Sequence, residues 1–206
     1  AATRHGDSSG GSRLPAQDSP KLGVGKDMKA IDCDAYFGSP HKWLLAPAGN
    51  GFLYVRQSVA SRVWTTLASG EWANEKDPGL RLQQRGTGNL SLLLGLDAAI
   101  DFHQRVGPER WFARIKQLGD HLRSRLKEVP GATIASSTHP QMCAGMTTWK
   151  LEGHPPYAMV DRIWERARIR PRAVSDIWGM RTSTMIYNNE RDIDRLLAVA
   201  RMIAEG

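Results

Sequence analysis

The sequence predicts a mixed α/β chain in which an α/β segment precedes a long helix and a compact α+β domain. Three observations predict this class. Apolar residues recur with a helical period from Leu90 to Ile100, and again from Trp111 to Leu126. Short branched and aromatic runs, bounded by glycine and proline, alternate with further helical patterns toward the C-terminus. Together these patterns favour a sheet domain that hangs from a long helical connector.

The first part of the chain begins without any apolar periodicity. Residues 1–20 are rich in Gly, Ser and Pro and cannot bury enough surface to offset the entropy of ordering, so a flexible arm is predicted. The apolar run Asp34–Phe37 leads into a Ser-Pro turn, and residues 51–56 (GFLYVR) predict a strand. Residues 57–88 carry several glycines and a proline, which predicts a short helix followed by long loops.

Two amphipathic helices occupy the centre of the chain. Asn89 is a favourable N-cap, and the helix that follows it continues to the Gly107-Pro108 stop. A second helix covers Pro108 to about Val129. The remaining pattern predicts an α+β domain with strands at 132–135, 146–151, 169–173 and 181–186, and helices at 156–166 and 190–204.

Four arginines alternate in the second half of the sequence. Arg166, Arg168, Arg170 and Arg172 are spaced by two, so a strand here would carry all four on one face. A solvated edge is the simpler interpretation of this run. An anion-recruiting rim of an active site is the alternative.

Composition narrows the classes of function. The formal net charge is +7, but the basic residues alternate with Glu and Asp, and no Cys/His finger spacing or long basic run is present. A solvated basic surface is therefore favoured over a nucleic-acid interface. There is no apolar run of about 18 residues that could span a membrane. Two cysteines cannot build a disulfide framework or a four-thiolate zinc site, and the histidines lack metal-ligand spacing. We expect a cytoplasmic protein that binds no membrane, nucleic acid or metal.

The stretch Ser39-Pro40-His41-Lys42-Trp43 is the part of the sequence best suited to carry chemistry. A lysine beside a strand, in a loop flanked by Gly and Pro, can present its amine into a cleft. Lysine is also the side chain whose pKa falls readily on burial, which suits an amine that forms an imine. An isolated His-Lys pair would be a solvated loop pair, so the assignment depends on the flanking residues.

With its flanks, the pattern Asp34-x-x-x-x-Ser39-x-His41-Lys42-Trp43-x-x-x-Pro47-x-Gly49-x-Gly51 resembles the lysine loop of class V aminotransferases. These are fold-type I pyridoxal-phosphate enzymes, which include isopenicillin-N-epimerase-like proteins and cysteine desulfurases. The segment Arg85-Gly86-Thr87-Gly88-Asn89 resembles the family's Gly-Thr segment before its interdomain helix. Residues 181–194 resemble the family's Arg-x-Ser…Tyr-Asn…Glu-Ile-Asp ending. The three anchors occur in the family's order and cover about residues 27–206.

The resemblance implies a role for each matching residue. Lys42 would form an imine with the aldehyde of pyridoxal 5'-phosphate and then move the α-proton of the substrate. Ser39 and His41 would donate hydrogen bonds to the cofactor phosphate. Thr87 would reach a phosphate across a dimer interface, or act as a capping residue next to Asn89. Arg181 would bind the substrate carboxylate through its planar guanidinium, or lie as a surface charge on a strand.

The resemblance also implies a domain division. Residues 21–88 would be a remnant of the cofactor-binding large domain, with strand edges and apolar faces left uncovered, and residues 89–206 the interdomain helix and the small domain. The family's large domain also supplies an aspartate for the pyridine nitrogen. Asp18 has nearly the required spacing from Lys42, but the residues around it, Ser19-Pro20-Lys21, depart from the family motif.

The expected function is a transaminase or epimerase type of reaction on a small amino acid or amine, carried out by a homodimer. The alternative is a truncated, non-catalytic fragment of such an enzyme, which the damaged Asp18 motif favours. A cysteine desulfurase is less favoured, because that activity requires a mobile cysteine before the carboxylate-binding arginine. Residues 166–170 contain no cysteine, and Cys143 lies far upstream of Arg181. A third alternative, a basic module that binds nucleic acid or another anion, is supported only by the net charge of +7.

Overall fold

A computed structural model describes residues 28–206, including all side chains except those of Lys29 and Ala30. The chain divides into two compact units, the first ending at Arg105 and the second spanning Val106–Gly206. The arm predicted at residues 1–20, and Asp18 within it, lie outside the described residues. The domain limits predicted from the sequence, with a boundary after residue 88, stay a prediction.

The first unit is built on a two-stranded antiparallel hairpin. Strand β1 pairs with β2 so that Ala35 lies opposite Val55 and Gly38 lies opposite Phe52. Arg56 follows β2 and forms an ion pair with Asp32, with Nη2 2.7 Å from Oδ1, which ties the two ends of the hairpin together. The helices and strands of this unit are α1 (Met28–Ile31), β1 (Ala35–Gly38), β2 (Phe52–Val55), α2 (Gln57–Ala60), α3 (Pro78–Gln83) and α4 (Leu90–Val106), whose last residue is the first of the second unit.

Arg81 organises the loop-rich stretch between β2 and α4. Its side chain is fully buried on α3, where Nη2 donates to the carbonyl oxygens of Ala60 at 2.9 Å and Val63 at 2.6 Å. The guanidinium lies over the ring of Trp64, 4.0 Å from the centroid. A buried arginine bonded to backbone carbonyls fixes segments that have no regular structure of their own.

Large apolar side chains remain exposed throughout the first unit. Phe37, Phe52 and Leu53 are exposed on the hairpin, and Leu93 and Leu94 are exposed on α4. The helix that the periodicity predicts is therefore formed, but its leucine stripe is not covered by the described residues. The exposed side chains of the hairpin lie within residues 21–88, for which uncovered apolar faces are predicted, and the division into a remnant and a small domain stays a prediction.

The second unit is an antiparallel sheet with three helices. The strand order is β3-β4-β6-β5, with every neighbouring pair antiparallel. Trp149 and Met180 from the sheet pack with Leu122, Ile163 and Leu196 from the helices in one buried core. The elements are α5 (Pro108–Leu126), β3 (Ala132–Ile134), β4 (Met146–Leu151), α6 (Pro156–Ala167), β5 (Arg172–Val174), β6 (Gly179–Ser183) and α7 (Glu190–Ala204).

The arginine-rich run does not form the single strand face that its alternation predicts. Helix α6 continues to Ala167, and Arg168 adopts a left-handed conformation with φ 55° that ends the helix. Strand β5 begins only at Arg172, after Pro171, which has no N–H to donate to a ladder. The strand predicted at 169–173 is thus displaced, and the one predicted at 181–186 lies at Gly179–Ser183. Arg172 is the one of the four arginines that lies on a strand.

Helix α5 approaches the start of β4 very closely at Gly119. A Cβ added at Gly119 would lie 2.1 Å from the carbonyl oxygen of Ala144. One turn later, Arg123 Nη1 donates to that same oxygen at 2.8 Å and to Thr147 Oγ1 at 3.0 Å. The missing side chain at Gly119 therefore allows the contact that Arg123 secures.

We expect Gly119→Ala to lower the free energy of unfolding by about 2 kcal/mol, because backbone must move to admit the methyl group. Urea unfolding of the 206-residue chain measures the change. Gly70→Ala is the control, since nothing lies within 4 Å of a Cβ added there and the φ angle is not positive. Equal stability of the two variants would contradict the close approach of α5 to β4.

An ion pair joins α5 to the first turn of α7. Arg114 Nη1 and Nη2 donate to Glu190 Oε1 and Oε2 at 2.7 and 3.0 Å. The hydrogen bonds from Arg114, followed by one from the backbone of Glu190 itself, lower the pKa of the Glu190 carboxyl from 4.5 to about 2. The folded chain therefore binds this proton less readily than the unfolded chain does.

The stabilisation by Glu190 should be complete above pH 4.5 and should be lost as the pH falls toward 2. We expect the urea midpoints of the unaltered chain and of Glu190→Gln to differ at neutral pH and to converge near pH 2. Glu109→Gln is the control, because Glu109 is an exposed acid in the first turn of α5. A difference that persists at the acid end would show that Glu190 acts by packing and not by charge.

Candidate functional site

The predicted lysine loop is a compact turn at the end of β1. The Lys42 N–H donates to the Ser39 carbonyl at 3.2 Å, and the Ala46 N–H donates to the Pro40 carbonyl at 3.2 Å. The Leu45 N–H closes the turn by donating to the Lys42 carbonyl at 3.4 Å. The backbone that carries Lys42 is thus held by its own hydrogen bonds.

The segment that follows the turn is fixed to helix α4. Asn50 Nδ2 donates to the Leu92 carbonyl at 2.8 Å. Pro47 lies against Gly95, where an added Cβ would come within 2.4 Å of the proline ring. Gly49 has φ 99°, a conformation that a residue with a side chain rarely adopts. The glycines and the asparagine of this segment set the position of the lysine loop on α4.

The side chains of the turn offer three polar groups. Ser39 is half-buried, and His41 and Lys42 are exposed. The described residues therefore do not enclose the Lys42 amine in the cleft that the sequence predicts. A cavity of about 1150 Å3 in the same unit lies between the hairpin, α3 and residues 84–88, and none of these three side chains lines it.

The groups of the turn fit the cofactor that the resemblance implies. An accessible primary amine can react with the aldehyde of pyridoxal phosphate, and a hydroxyl and an imidazole can donate to its phosphate oxygens. Ser39, His41 and Lys42 lie in one turn, so the structure brings these three predicted residues together. The donor set agrees with a phosphate-bearing aldehyde.

Thr87 lies in the exposed segment before α4. Asn89 is the residue that caps the helix, since its Oδ1 accepts a hydrogen bond from the Ser91 N–H at 3.0 Å. In the described part of the chain, the Thr87 hydroxyl makes no hydrogen bond. The capping role considered for Thr87 is thus filled by Asn89, and the phosphate-binding role stays a prediction.

Arg181 lies on β6 in the second unit. Its side chain is half-buried, and Nε is enclosed without a hydrogen-bonding partner among the described residues. A donor that is enclosed and unpaired costs free energy unless a ligand or water completes it. This geometry is consistent with an anion-binding role for Arg181.

Asn50 and Gly95 were not identified from the sequence as site residues. The Gly49-Asn50-Gly51 run signalled only the start of a strand, and Gly95 lies inside a helical pattern where glycine is unfavourable. That unfavourable glycine was the available signal for a close contact. Within residues 28–206 no cluster of three or more potential metal ligands occurs, and no helix is long and apolar enough to cross a membrane.

Comparison with known sequences gives a family match over most of the chain. The aminotransferase class-V family profile matches residues 16–196. Isopenicillin N epimerase of Streptomyces clavuligerus is 35% identical over an alignment of 189 residues, and the match covers 82% of this chain and 47% of the relative. A cysteine desulfurase of Synechococcus elongatus is 28% identical, covering 87% of this chain and 31% of the relative. The chain spans about half or less of the length of these curated relatives.

Solved structures also match most of this chain, and the match covers about half of each solved chain. The cystine C-S lyase C-DES, in complex with its product cysteine persulfide, has a TM-score of 0.73 and 27% identity, covering 86% of this chain and 49% of that protein. The apo cysteine desulfurase of Thermococcus onnurineus has a TM-score of 0.77 at 20% identity, covering 92% and 52% of the two chains, and shows the fold alone. The predicted fold class, part of a class V α/β fold, is confirmed.

Two observations indicate the same family. Three separate motifs of the sequence resemble class V aminotransferases, and the class-V family profile matches residues 16–196. The described elements adopt the fold of the solved class V structures, and the lysine loop lies within the matched region. The chain belongs to the aminotransferase class-V family.

Proposed function

We propose that the chain carries half of a pyridoxal-phosphate enzyme that acts on a small amino acid or amine in a transaminase or epimerase type of reaction. The observation that carries the proposal is the turn in which an accessible Lys42 amine lies beside Ser39 and His41. The similarity to isopenicillin N epimerase supports the epimerase type of reaction. The chain spans about half of that relative, so the activity of the whole protein belongs to this proposal.

Each residue of the site has a part in the proposed reaction. Pyridoxal phosphate, when bound, withdraws electrons from the α-carbon of the attached amino compound. Lys42 would bind the cofactor and carry a proton to or from that α-carbon. Ser39 and His41 would hold the phosphate, and Thr87 would add a donor from a second copy of the chain in a homodimer. Asp18 would face the pyridine nitrogen.

Arg181 would bind the α-carboxylate of the substrate. The enclosed, unpaired Nε supports this role, because a carboxylate supplies the acceptor that the described residues lack. A cysteine desulfurase is disfavoured within the family by the absence of cysteine from residues 166–170. Cys143 is buried, which argues against a mobile nucleophile there. The proposed location is the cytoplasm.

A non-catalytic role is the second candidate. The exposed apolar side chains of the hairpin and of α4 favour it, because they leave the first unit without a covered core in the described residues. An uncovered unit holds a cofactor less firmly, since a phosphate dianion needs several fixed donors. The next two predictions separate a cofactor site at Lys42 from incidental reaction with surface lysines.

Borohydride reduction in the presence of pyridoxal phosphate should label Lys42 in a way that inorganic phosphate suppresses. Phosphate would compete for the donors of Ser39 and His41 and thus slow labelling of the neighbouring amine. Lys116 is the control lysine, because it is half-buried on α5 and its amine forms an ion pair with Asp120, at 2.8 Å. Peptide mapping by mass spectrometry measures both sites. Equal suppression at Lys42 and Lys116 would argue against a phosphate site in the turn.

The affinity of the 206-residue chain for pyridoxal phosphate should be weaker than micromolar. Ser39, His41 and Thr87 are few donors for a dianion, and the Lys42 amine is exposed. A spectroscopic titration of the unaltered chain and of Lys42→Ala isolates the part of the binding that depends on Lys42. A saturable, Lys42-dependent affinity in the micromolar range would exclude the non-catalytic candidate.

A further inference from the structure

Two arginines lie side by side on neighbouring strands of the second unit. Arg172 of β5 is directly opposite Arg181 of β6, and Arg181 is directly opposite Thr148 of β4. Residues directly opposite in antiparallel strands project their side chains to the same face, with Cβ atoms about 4.5–5.5 Å apart. The three side chains therefore form one row across the sheet.

The row lies on the face of the sheet that the helices leave uncovered. Met180 and Trp149, the neighbours of Arg181 and Thr148 along their strands, are buried in the core with α5, α6 and α7. Side chains alternate between the two faces of a strand, so Arg181 and Thr148 point away from that core. Arg172 is exposed and Arg181 is half-buried.

Two like charges directly opposite each other destabilise a sheet. Elsewhere in the unit arginines pair with carboxylates, as Arg114 does with Glu190 and Arg201 with Glu128. Within residues 28–206, neither Arg172 nor Arg181 forms an ion pair or a hydrogen bond through its side chain, and Nε of Arg181 is enclosed. The pair thus presents two unneutralised guanidinium groups on one open face.

We propose that this pair binds a small molecule with two carboxylates, one held by Arg181 and the other by Arg172. The proposal rests on the proposed function, in which Arg181 binds the substrate α-carboxylate, and it names the substrate class as amino acids with an acidic side chain. Each guanidinium can form a bidentate pair with one carboxylate. The adjacent strand positions suit carboxylates separated by a short methylene chain.

The experiment compares L-glutamate with L-glutamine, which has the same shape but lacks the second charge. Binding to the cofactor-free 206-residue chain is followed by NMR titration or calorimetry. We expect glutamate to bind about tenfold more tightly, since hydrogen bonds between charged groups are the strong ones. Arg172→Ala should remove this preference and leave the glutamine affinity within about twofold, because the glutamine α-carboxylate still meets Arg181.

Arg181→Ala should weaken the binding of both amino acids. Arg172→Lys keeps the positive charge but cannot form two parallel hydrogen bonds to one carboxylate, so it should retain part of the preference for glutamate. Arg191→Ala is the matched control, because Arg191 is an exposed arginine of α7 outside the sheet, and it should change nothing. Amide spectra of each variant verify that it is folded.

Equal affinities for the two amino acids, no measurable binding of either, or a preference that survives Arg172→Ala would each overturn the proposal. Failure of the proposed function is distinguishable, since it appears in the phosphate-sensitive labelling of Lys42. Lys42→Ala should lose that labelling and keep the preference for glutamate. A preference for glutamate that disappears in Lys42→Ala would overturn the assignment of the second carboxylate to Arg172.

Discussion

One-sided burial of the four-stranded sheet is the constraint on which the second unit depends. Three helices cover the face that carries Trp149 and Met180, and the alternation of strand side chains then sends their neighbours to the other face. Arg181 and Arg172 owe their common orientation to this constraint, together with the register that makes them opposite. The placement of the two guanidinium groups on one face is therefore a direct product of the packing of this unit.

The first unit holds the lysine loop in place by hydrogen bonds and by one close contact, with little apolar core. The lysine loop closes on its own hydrogen bonds, and Asn50 and the Pro47–Gly95 contact fix it to α4. Apolar side chains of the hairpin stay exposed while this geometry is kept. Local bonding thus maintains the arrangement of Ser39, His41 and Lys42 where apolar burial is small.

The parts of the fold that the sequence predicts well are those set by local pattern. Helices α4, α5 and α7 follow from their apolar patterns, and Asn89 caps α4 as its place before the leucine run predicts. Lys42 follows from a motif. The limits of β5 and β6 differ from the predicted ones, because α6 ends in a left-handed turn at Arg168 and the register of β6 is set by its pairing with β4 and β5.

The opposition of Arg172 and Arg181 could not be predicted for the same reason. The alternating arginine run suggested a strand face, whereas strand register is decided by long-range pairing and places only Arg172 on a strand. The close approach at Gly119 is equally invisible in the sequence, since a glycine within a helical pattern does not name the oxygen that approaches it. In both cases the sequence does not show which distant residue makes the contact: Arg181 for Arg172, and Ala144 for Gly119.

The unequal burial of the two units has a consequence for how the chain opens. Backbone amides of α5, α7 and β4 lie in or beside a continuous core, so their hydrogen exchange requires the opening of the whole second unit. Amides of the β1–β2 hairpin are protected by four paired residues on each strand, and small local fluctuations suffice to expose them. Ligands that bind the lysine loop would therefore register first as slower exchange in the hairpin.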